Sequence, residues 1–182
     1  MAKIHLVRHG QAAAGFGAHK DPGLDDIGRQ QAEAVAELLD PIGPLRIWSS
    51  PLARAYETAQ PLAKRWQADI TIETRVAEIP SPSEDLTERA QWLQQAMQGN
   101  WGALAPQFIE WRDELVRCLL AVDSDCVMFS HYVAINAAVG AALGEDRMRV
   151  FAPDNCSVTT IDNSGGALTV EHLGRTADTK IN

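Results

Sequence analysis

Short apolar runs alternate along the chain with longer stretches in which apolar residues recur every three or four positions. That is the rhythm of strands alternating with helices. Ile4, Leu6 and Val7 open the first run, as expected of a strand buried on both faces. Residues 11–22, rich in Gly and Ala and carrying His19 and Lys20, read as a loop. Leu24-Asp25-Asp26-Ile27-Gly28 then starts a helix that Asp25 or Asp26 can cap, with Ile27, Ala34, Val35, Leu38 and Leu39 predicted on one face. Asp40-Pro41-Ile42-Gly43-Pro44 ends it.

Leu45, Ile47 and Trp48 predict a second strand. Ser49-Ser50-Pro51 follows, with a serine placed to cap the next helix and Pro51 in its first turn. That helix should run to about Trp66, and Ile70, Ile72 and Val76 suggest a third strand. Residues 84–98 and 106–121 read as two amphipathic helices joined by Gly99-Asn100-Trp101-Gly102. Residues 126–130 form another buried strand, followed by an apolar helix over 133–143. Residues 156–161 and 167–171 pair as a hairpin around Asp162-Asn163-Ser164-Gly165-Gly166. The polar tail from Arg175 is expected to be mobile. The pattern as a whole predicts an α/β three-layer sandwich, its central and mostly parallel sheet flanked by helices on both faces. It reads as one domain over 1–182, with a helical insertion around 81–106.

Composition narrows the function. At 182 residues the chain is long enough for a substantial core, and 46% apolar with 22% charged residues is ordinary for a soluble globular protein. A net charge of -8 argues against nucleic acid or an anionic membrane as partner. An anionic substrate would have to be drawn in by a local cluster of cations, which directs attention to individual arginines. Cys118, Cys126 and Cys156 are scattered and form no C-x-x-C pair, so neither a disulfide framework nor a zinc knuckle is indicated. No cluster has metal-ligand spacing, and no cofactor or metal is expected. With no signal peptide or membrane span in view, the cytoplasm is the expected location.

Candidate chemistry gathers where strands stop, since ligands in open α/β sheets bind beyond the carboxyl ends of the strands. The first run ends in Arg8-His9-Gly10, an anion site with an imidazole in it, although an ordinary surface turn could carry the same residues. Arg54 falls one turn into a helix, near its positive end. A cation there opposes the helix dipole at a cost of about 0.3–1 kcal/mol, which suggests anion binding over a solvated surface position. Glu78 sits in the Pro-stiffened turn Glu78-Ile79-Pro80-Ser81-Pro82 between apolar neighbours. Partial desolvation there would raise its pKa and suit it to donate a proton. Ser130-His131 repeats the opening design at the end of a second buried strand. Trp92, Leu93, Met97, Trp101, Phe108, Trp111 and Leu115 are expected to form core between the helices, with some walling a substrate pocket.

Taken together, Arg8-His9-Gly10, the block Ser-Ser-Pro-Leu-x-Arg-Ala-x-x-Thr-Ala from Ser49 to Ala59, Glu78 and Ser130-His131 resemble the histidine phosphatase superfamily, also called the phosphoglycerate mutase-like family. Leu24-x-x-x-Gly28-x-x-Gln31-Ala32 extends the likeness, which covers nearly the whole chain. The resemblance implies that His9 is the nucleophile that takes up the phosphoryl group, that Arg8, Arg54 and His131 bind it, and that Glu78 is the proton donor. A neutral imidazole can attack phosphorus at pH 7, and two guanidinium groups with a second, protonated imidazole can stabilise the transition state without a metal.

Two positions depart from the family pattern. Tyr132 stands where Gly often follows the second histidine, and Gln11 stands where Glu is common. Gln11 and Asn155 are candidate secondary substrate contacts. The favoured activity is metal-independent hydrolysis of a small phosphomonoester, with a phosphoprotein also open as substrate. Alternatives are a phosphoglycerate mutase-type phosphoryl transferase, against which chain length weighs, and a non-catalytic module that binds a phosphate ligand. Oligomeric state is not legible.

Overall fold

The computed structural model describes residues 1–15 and 18–177. Its strands are β1 (Lys3–Arg8), β2 (Arg46–Ser49), β3 (Ile70–Ile72), β4 (Cys126–Ser130), β5 (Val158–Asp162) and β6 (Thr169–His172). The helices are α1 (Asp26–Leu39), α2 (Ala53–Trp66), α3 (Leu86–Ala96), α4 (Pro106–Leu120) and α5 (Tyr132–Leu143). The six strands form one sheet in the order β3-β2-β4-β1-β5-β6. β3, β2, β4 and β1 run parallel, whereas β5 and β6 join antiparallel at one edge. This is the expected central, mostly parallel sheet between helical layers.

Alternation along the strands sorts side chains into two cores. Ile4, Leu6, Cys126 and Met128 face the layer that holds α4 and α5, with Trp101, Phe108, Leu115, Leu119 and Ile135. Val7, Ile47, Val127 and Phe129 face α1 and α2, against Val35, Ala36, Leu39, Ala55, Ala59 and Leu62. Because β1 and β4 are neighbours in register, with Arg8 opposite Ser130, their ends place His9 and His131 side by side. β2 adjoins β4 on its other side and brings Ser49 and Ser50 to the same edge.

Four local expectations change. α1 buries Gly28, Ala32, Val35, Ala36 and Leu39 and leaves Ile27 and Leu38 exposed. Small residues on that stripe let α1 approach both α2 and the loop after β1, and this close contact outweighs the larger side chains. A Cβ on Gly28 would lie 2.1 Å from the Gln11 carbonyl oxygen, and one on Gly10 would lie 2.7 Å from that of Gly28. Both obstacles are backbone. Gly28→Ala is therefore expected to cost about 1–3 kcal/mol, the range for overpacking, and to displace the loop that carries His9. A thermal melt lowered by several degrees together with reduced turnover would show it; an unshifted melt would mean that α1 can slide.

The serine expected to cap α2 does not do so. Leu52 occupies the cap position without a side-chain bond, and the Ala53 N–H donates instead to the Asp21 carboxylate at 2.8 Å. Ser50 accepts the Leu52 N–H at 3.2 Å, and its hydroxyl also meets His131 at the site. Cys156 adopts a left-handed φ of 54° and donates its N–H to the Arg8 carbonyl, so β5 begins only at Val158. Finally, Arg175 to Ala177 is held in place. Asp154 donates to the Arg175 carbonyl and Ala177 to the Ala152 carbonyl, both at 2.8 Å. The rest of the expected mobile tail lies outside the described residues.

Candidate active site

His9 is buried where β1 ends, its N–H donating to the Ser130 carbonyl at 3.0 Å. Its ring is fixed from both sides. Nδ1 lies 2.7 Å from the Gly10 carbonyl, which can only accept, so Nδ1 carries the proton. The Arg54 Nε–H donates to His9 Nε2 at 3.2 Å, which places a lone pair on Nε2, facing Arg54. Burial first, then the charges of Arg54 and Arg8, push the His9 pKa well below its usual 6.5. The ring is neutral and its unprotonated nitrogen is oriented toward Arg54.

Three cradles keep this geometry. Thr58 accepts the Gly10 N–H at 3.0 Å and donates to the Arg54 carbonyl at 2.6 Å, tying α2 to the loop after β1. Asn155 donates its amide to the His9 carbonyl at 2.9 Å. Gln11 donates its side-chain amide to Asp25 at 2.8 Å, while Gln31 accepts the Gln11 N–H at the same distance and Asp25 caps Gly28. Gln11 and Asn155 are thus engaged with protein groups. Each thereby spends one amide N–H on supporting the loop that carries His9.

Arg8 and Arg54 are both about 5% exposed or less. Arg8 donates to the Pro153 carbonyl at 2.9 Å and its guanidinium lies 5.1 Å from the centre of the Tyr132 ring. Its Nε is buried without a hydrogen-bond acceptor among the described residues. Arg54 lies 3.9 Å from the Asp21 carboxylate. Burial lowers the pKa of both guanidinium groups, yet arginine remains charged.

His131 is fully buried, its ring centre 5.2 Å from that of His9. Its Nε2 lies 2.7 Å from the Ser50 hydroxyl, and its Nδ1 lacks a partner among the described residues. Burial, followed by Arg54, His9 and Arg8, drives its pKa well below 6.5. In the protein alone the ring is therefore neutral; the expected protonated imidazole concerns the site with a phosphoryl group in it. Two arginines and another imidazole at close range make a further cation costly.

Glu78 accepts the Ile79 N–H at 3.0 Å on one oxygen and the Val133 N–H at 3.2 Å on the other. Burial raises its pKa above the usual 4.5, and the two N–H groups, Arg54 and Arg8 only partly oppose this. The Ser130 hydroxyl donates to the Val76 carbonyl at 2.7 Å, which fastens the Glu78 turn to the end of β4.

Arg8, His9, Arg54 and Glu78 line one narrow cleft with Ala12, Ala14, His19, Lys20, Pro22, Arg89, Leu93 and Tyr132. Among the described residues Glu78 is the only carboxylate of its lining, so the local cationic cluster required by the negative overall charge is present. His19, Lys20 and Arg89 carry no role in the sequence reading. Arg89 and Leu93 enter from α3; Leu93 is one of the expected pocket walls, and Arg89, one helical turn before it, shares its face. The expected tryptophan walls are absent from this cleft: Trp101 is buried in the core, and Trp92 and Trp111 pack against that core. Among the described residues no group of three or more His, Cys, Asp or Glu could hold a metal ion, and no helix is long and apolar enough to cross a membrane.

Comparison with known proteins bears on this arrangement. The family profile of the histidine phosphatase superfamily (branch 1) matches residues 4–176. The probable phosphoglycerate mutase GpmB of Yersinia pestis (strain Pestoides F) is 30% identical over 187 residues, covering 89% of this chain and 85% of that protein. A mycobacterial glucosyl-3-phosphoglycerate phosphatase superposes with a TM-score of 0.77 at 23% identity, over 96% of this chain and 99% of its own. The Entamoeba histolytica phosphoserine phosphatase, in complex with 3-phosphoglyceric acid, gives 0.76 at 23% identity, over 97% and 98%. These structural likenesses establish the fold, and the profile spans every strand and helix that brings the two histidines, two arginines and Glu78 together. On that match, the chain belongs to the histidine phosphatase superfamily.

Proposed function

We propose that the protein hydrolyses a small phosphomonoester without a metal, through a phosphohistidine on His9 and with Glu78 as proton donor. The observation that carries this reading is the orientation of His9: Nδ1 is tied to a carbonyl and Nε2 faces the Arg54 guanidinium. A phosphoryl group that takes the Arg54 N–H in place of Nε2 would release the lone pair of a neutral nitrogen already aimed at it. Attack forms the N–P bond as the ester oxygen departs, and protonated Glu78 supplies that oxygen with a proton. The resulting carboxylate then takes a proton from water as water attacks phosphorus and releases His9.

Charge on the equatorial oxygens is met by both guanidinium groups and by hydrogen bonds from buried donors. Arg8 Nε–H is one such donor. The tautomer in which Ser50 donates to Nε2 leaves the His131 proton on Nδ1, and this reading takes that N–H as another. A buried donor left unsatisfied costs about 1–3 kcal/mol, and a phosphoryl oxygen would satisfy each. His131 therefore acts as a neutral donor in this reading.

Arg89, with Lys20 beside it in an ion pair with Glu84, extends the cationic lining past the phosphoryl clamp, which favours a substrate with a second anionic group. The relatives named for phosphoglycerate and phosphoserine chemistry agree with that preference. A screen of phosphate release tests it: 3-phosphoglycerate and phosphoserine are expected to exceed glycerol 3-phosphate and phosphoethanolamine by about 10–100-fold in kcat/KM, the worth of one charge-assisted contact. Equal rates within each pair would remove the second-anion preference. The Yersinia relative's name favours a mutase as second reading, and interconversion of 2- and 3-phosphoglycerate without phosphate release would select it. Phosphate-ligand binding without turnover of any monoester would leave a binding module.

A further inference from the structure

We infer that Tyr132 is a positioning residue for Arg8, fixing which edge of the guanidinium meets the phosphoryl group. The inference rests on the reading of the cleft as a phosphoryl site. Among the described residues Arg8 is held by the Pro153 carbonyl at 2.9 Å and the Tyr132 ring at 5.1 Å. Both belong to one bonded bracket. Asn136 on α5 donates to the Tyr132 carbonyl at 3.0 Å, and its side-chain oxygen accepts the N–H groups of Val150 and Phe151 at 2.8 and 3.0 Å. The Tyr132 hydroxyl returns to the Phe151 carbonyl at 3.4 Å. The chain then reaches Pro153, where Asp154 and Ala152 pair with Arg175 and Ala177.

The bracket thus fastens the carbonyl that engages one edge of Arg8 to the ring that covers its face. The edge that remains carries Nε, a buried donor without an acceptor among the described residues. A guanidinium over an aromatic face in a desolvated site is held strongly enough to influence binding about tenfold. Without the ring, Arg8 could swing about the Pro153 bond and lose its alignment. A glycine at position 132 could not serve in this way, so the departure from the family pattern supplies a function of its own. Tyr132 also lies between His131 and Val133, whose N–H binds Glu78, so a test must separate action through Arg8 from a general disturbance.

Orthovanadate, a mimic of the pentacoordinate phosphoryl group, is the probe, its dissociation constant measured alongside KM and kcat for one alkyl phosphate. Tyr132→Phe keeps the ring and is expected to stay within about threefold of wild type, whereas Tyr132→Leu should weaken vanadate about tenfold. If the Leu variant fails to fold by thermal melt, Tyr132→Met replaces it. In an Arg8→Met background the same Tyr132 substitution is expected to cost nothing further, the mark of two residues acting as one unit. Wild-type affinity in the Leu or Met variant would overturn the inference. So would an equal loss in both backgrounds, which would make Tyr132 a wall independent of Arg8. A wild-type protein with no affinity for vanadate would overturn the phosphoryl-site reading and this inference with it.

Discussion

Replacing His9 with alanine is expected to lower kcat/KM for every phosphomonoester by at least ~10⁴-fold, because it removes the atom on which the phosphoryl group is carried. Binding should largely survive. Arg8, Arg54 and His131 are held by their own elements, with Arg8 on Pro153, Arg54 in α2 and His131 on Ser50. The variant should therefore still bind inorganic phosphate while failing to turn over substrate. A loss of less than ~10-fold would mean that another group attacks phosphorus. Removing the imidazole also opens a hole beside His131 that water can occupy, so any small residual rate should come from direct attack of water, with no phosphoryl transfer to protein.

Glu78→Gln should separate substrates by their leaving groups. An alkoxide needs a proton as it departs, and general acid catalysis of that step is worth about 10²–10⁴-fold. p-Nitrophenolate needs little help. Alkyl phosphates are therefore expected to slow by that factor and p-nitrophenyl phosphate by less than ~10-fold; equal slowing would point to a different acid.

The pH profile follows from the same two groups. His9, with its pKa lowered by burial and by Arg54 and Arg8, stays a competent nucleophile below 6.5, and activity falls only as pH drops through its depressed value. Glu78, with its pKa raised by burial, keeps its proton above 4.5, and activity is lost as pH rises through that raised value. The optimum of kcat/KM should thus lie on the acid side, and Glu78→Gln should abolish the alkaline limb while leaving the acid limb unchanged. A profile with the same alkaline limb in both proteins would count against Glu78 as the acid.

Where sequence and structure agree, the reason is local. β1 and β4 are apolar runs that stop at Arg8-His9 and Ser130-His131, and parallel pairing in register is enough to bring those ends together. Arg54 was legible because a cation near a helix N-terminus is out of place unless it has an anion to meet. Gly28 and Gln31 were visible only as a pattern; their contact with Gln11 shows why that pattern has its spacing.

What sequence did not disclose depends on how elements meet. Ile27 and Leu38 outrank Ala32 and Ala36 in hydrophobicity, but the small residues win the buried face because α1 must lie close to the loop that carries His9. Arg89 and Lys20 reach the cleft through the placement of α3 and the loop before α1, which no run of residues announces. The tryptophans looked suited to a pocket because of their bulk, and the same bulk is what the core beneath α3 and α4 uses. The depressed pKa of His131 has a related cause, since it comes from burial first and then from Arg54, His9 and Arg8, which lie elsewhere in the chain.

The central claim is that His9 becomes covalently phosphorylated, and trapping that species tests it most directly. Protein mixed with ³²P-labelled substrate, quenched within the first turnover and digested under alkaline conditions, should yield one labelled peptide containing His9, its label stable in base and lost in acid. Label on another residue, or full turnover with no labelled protein at any quench time, would contradict it.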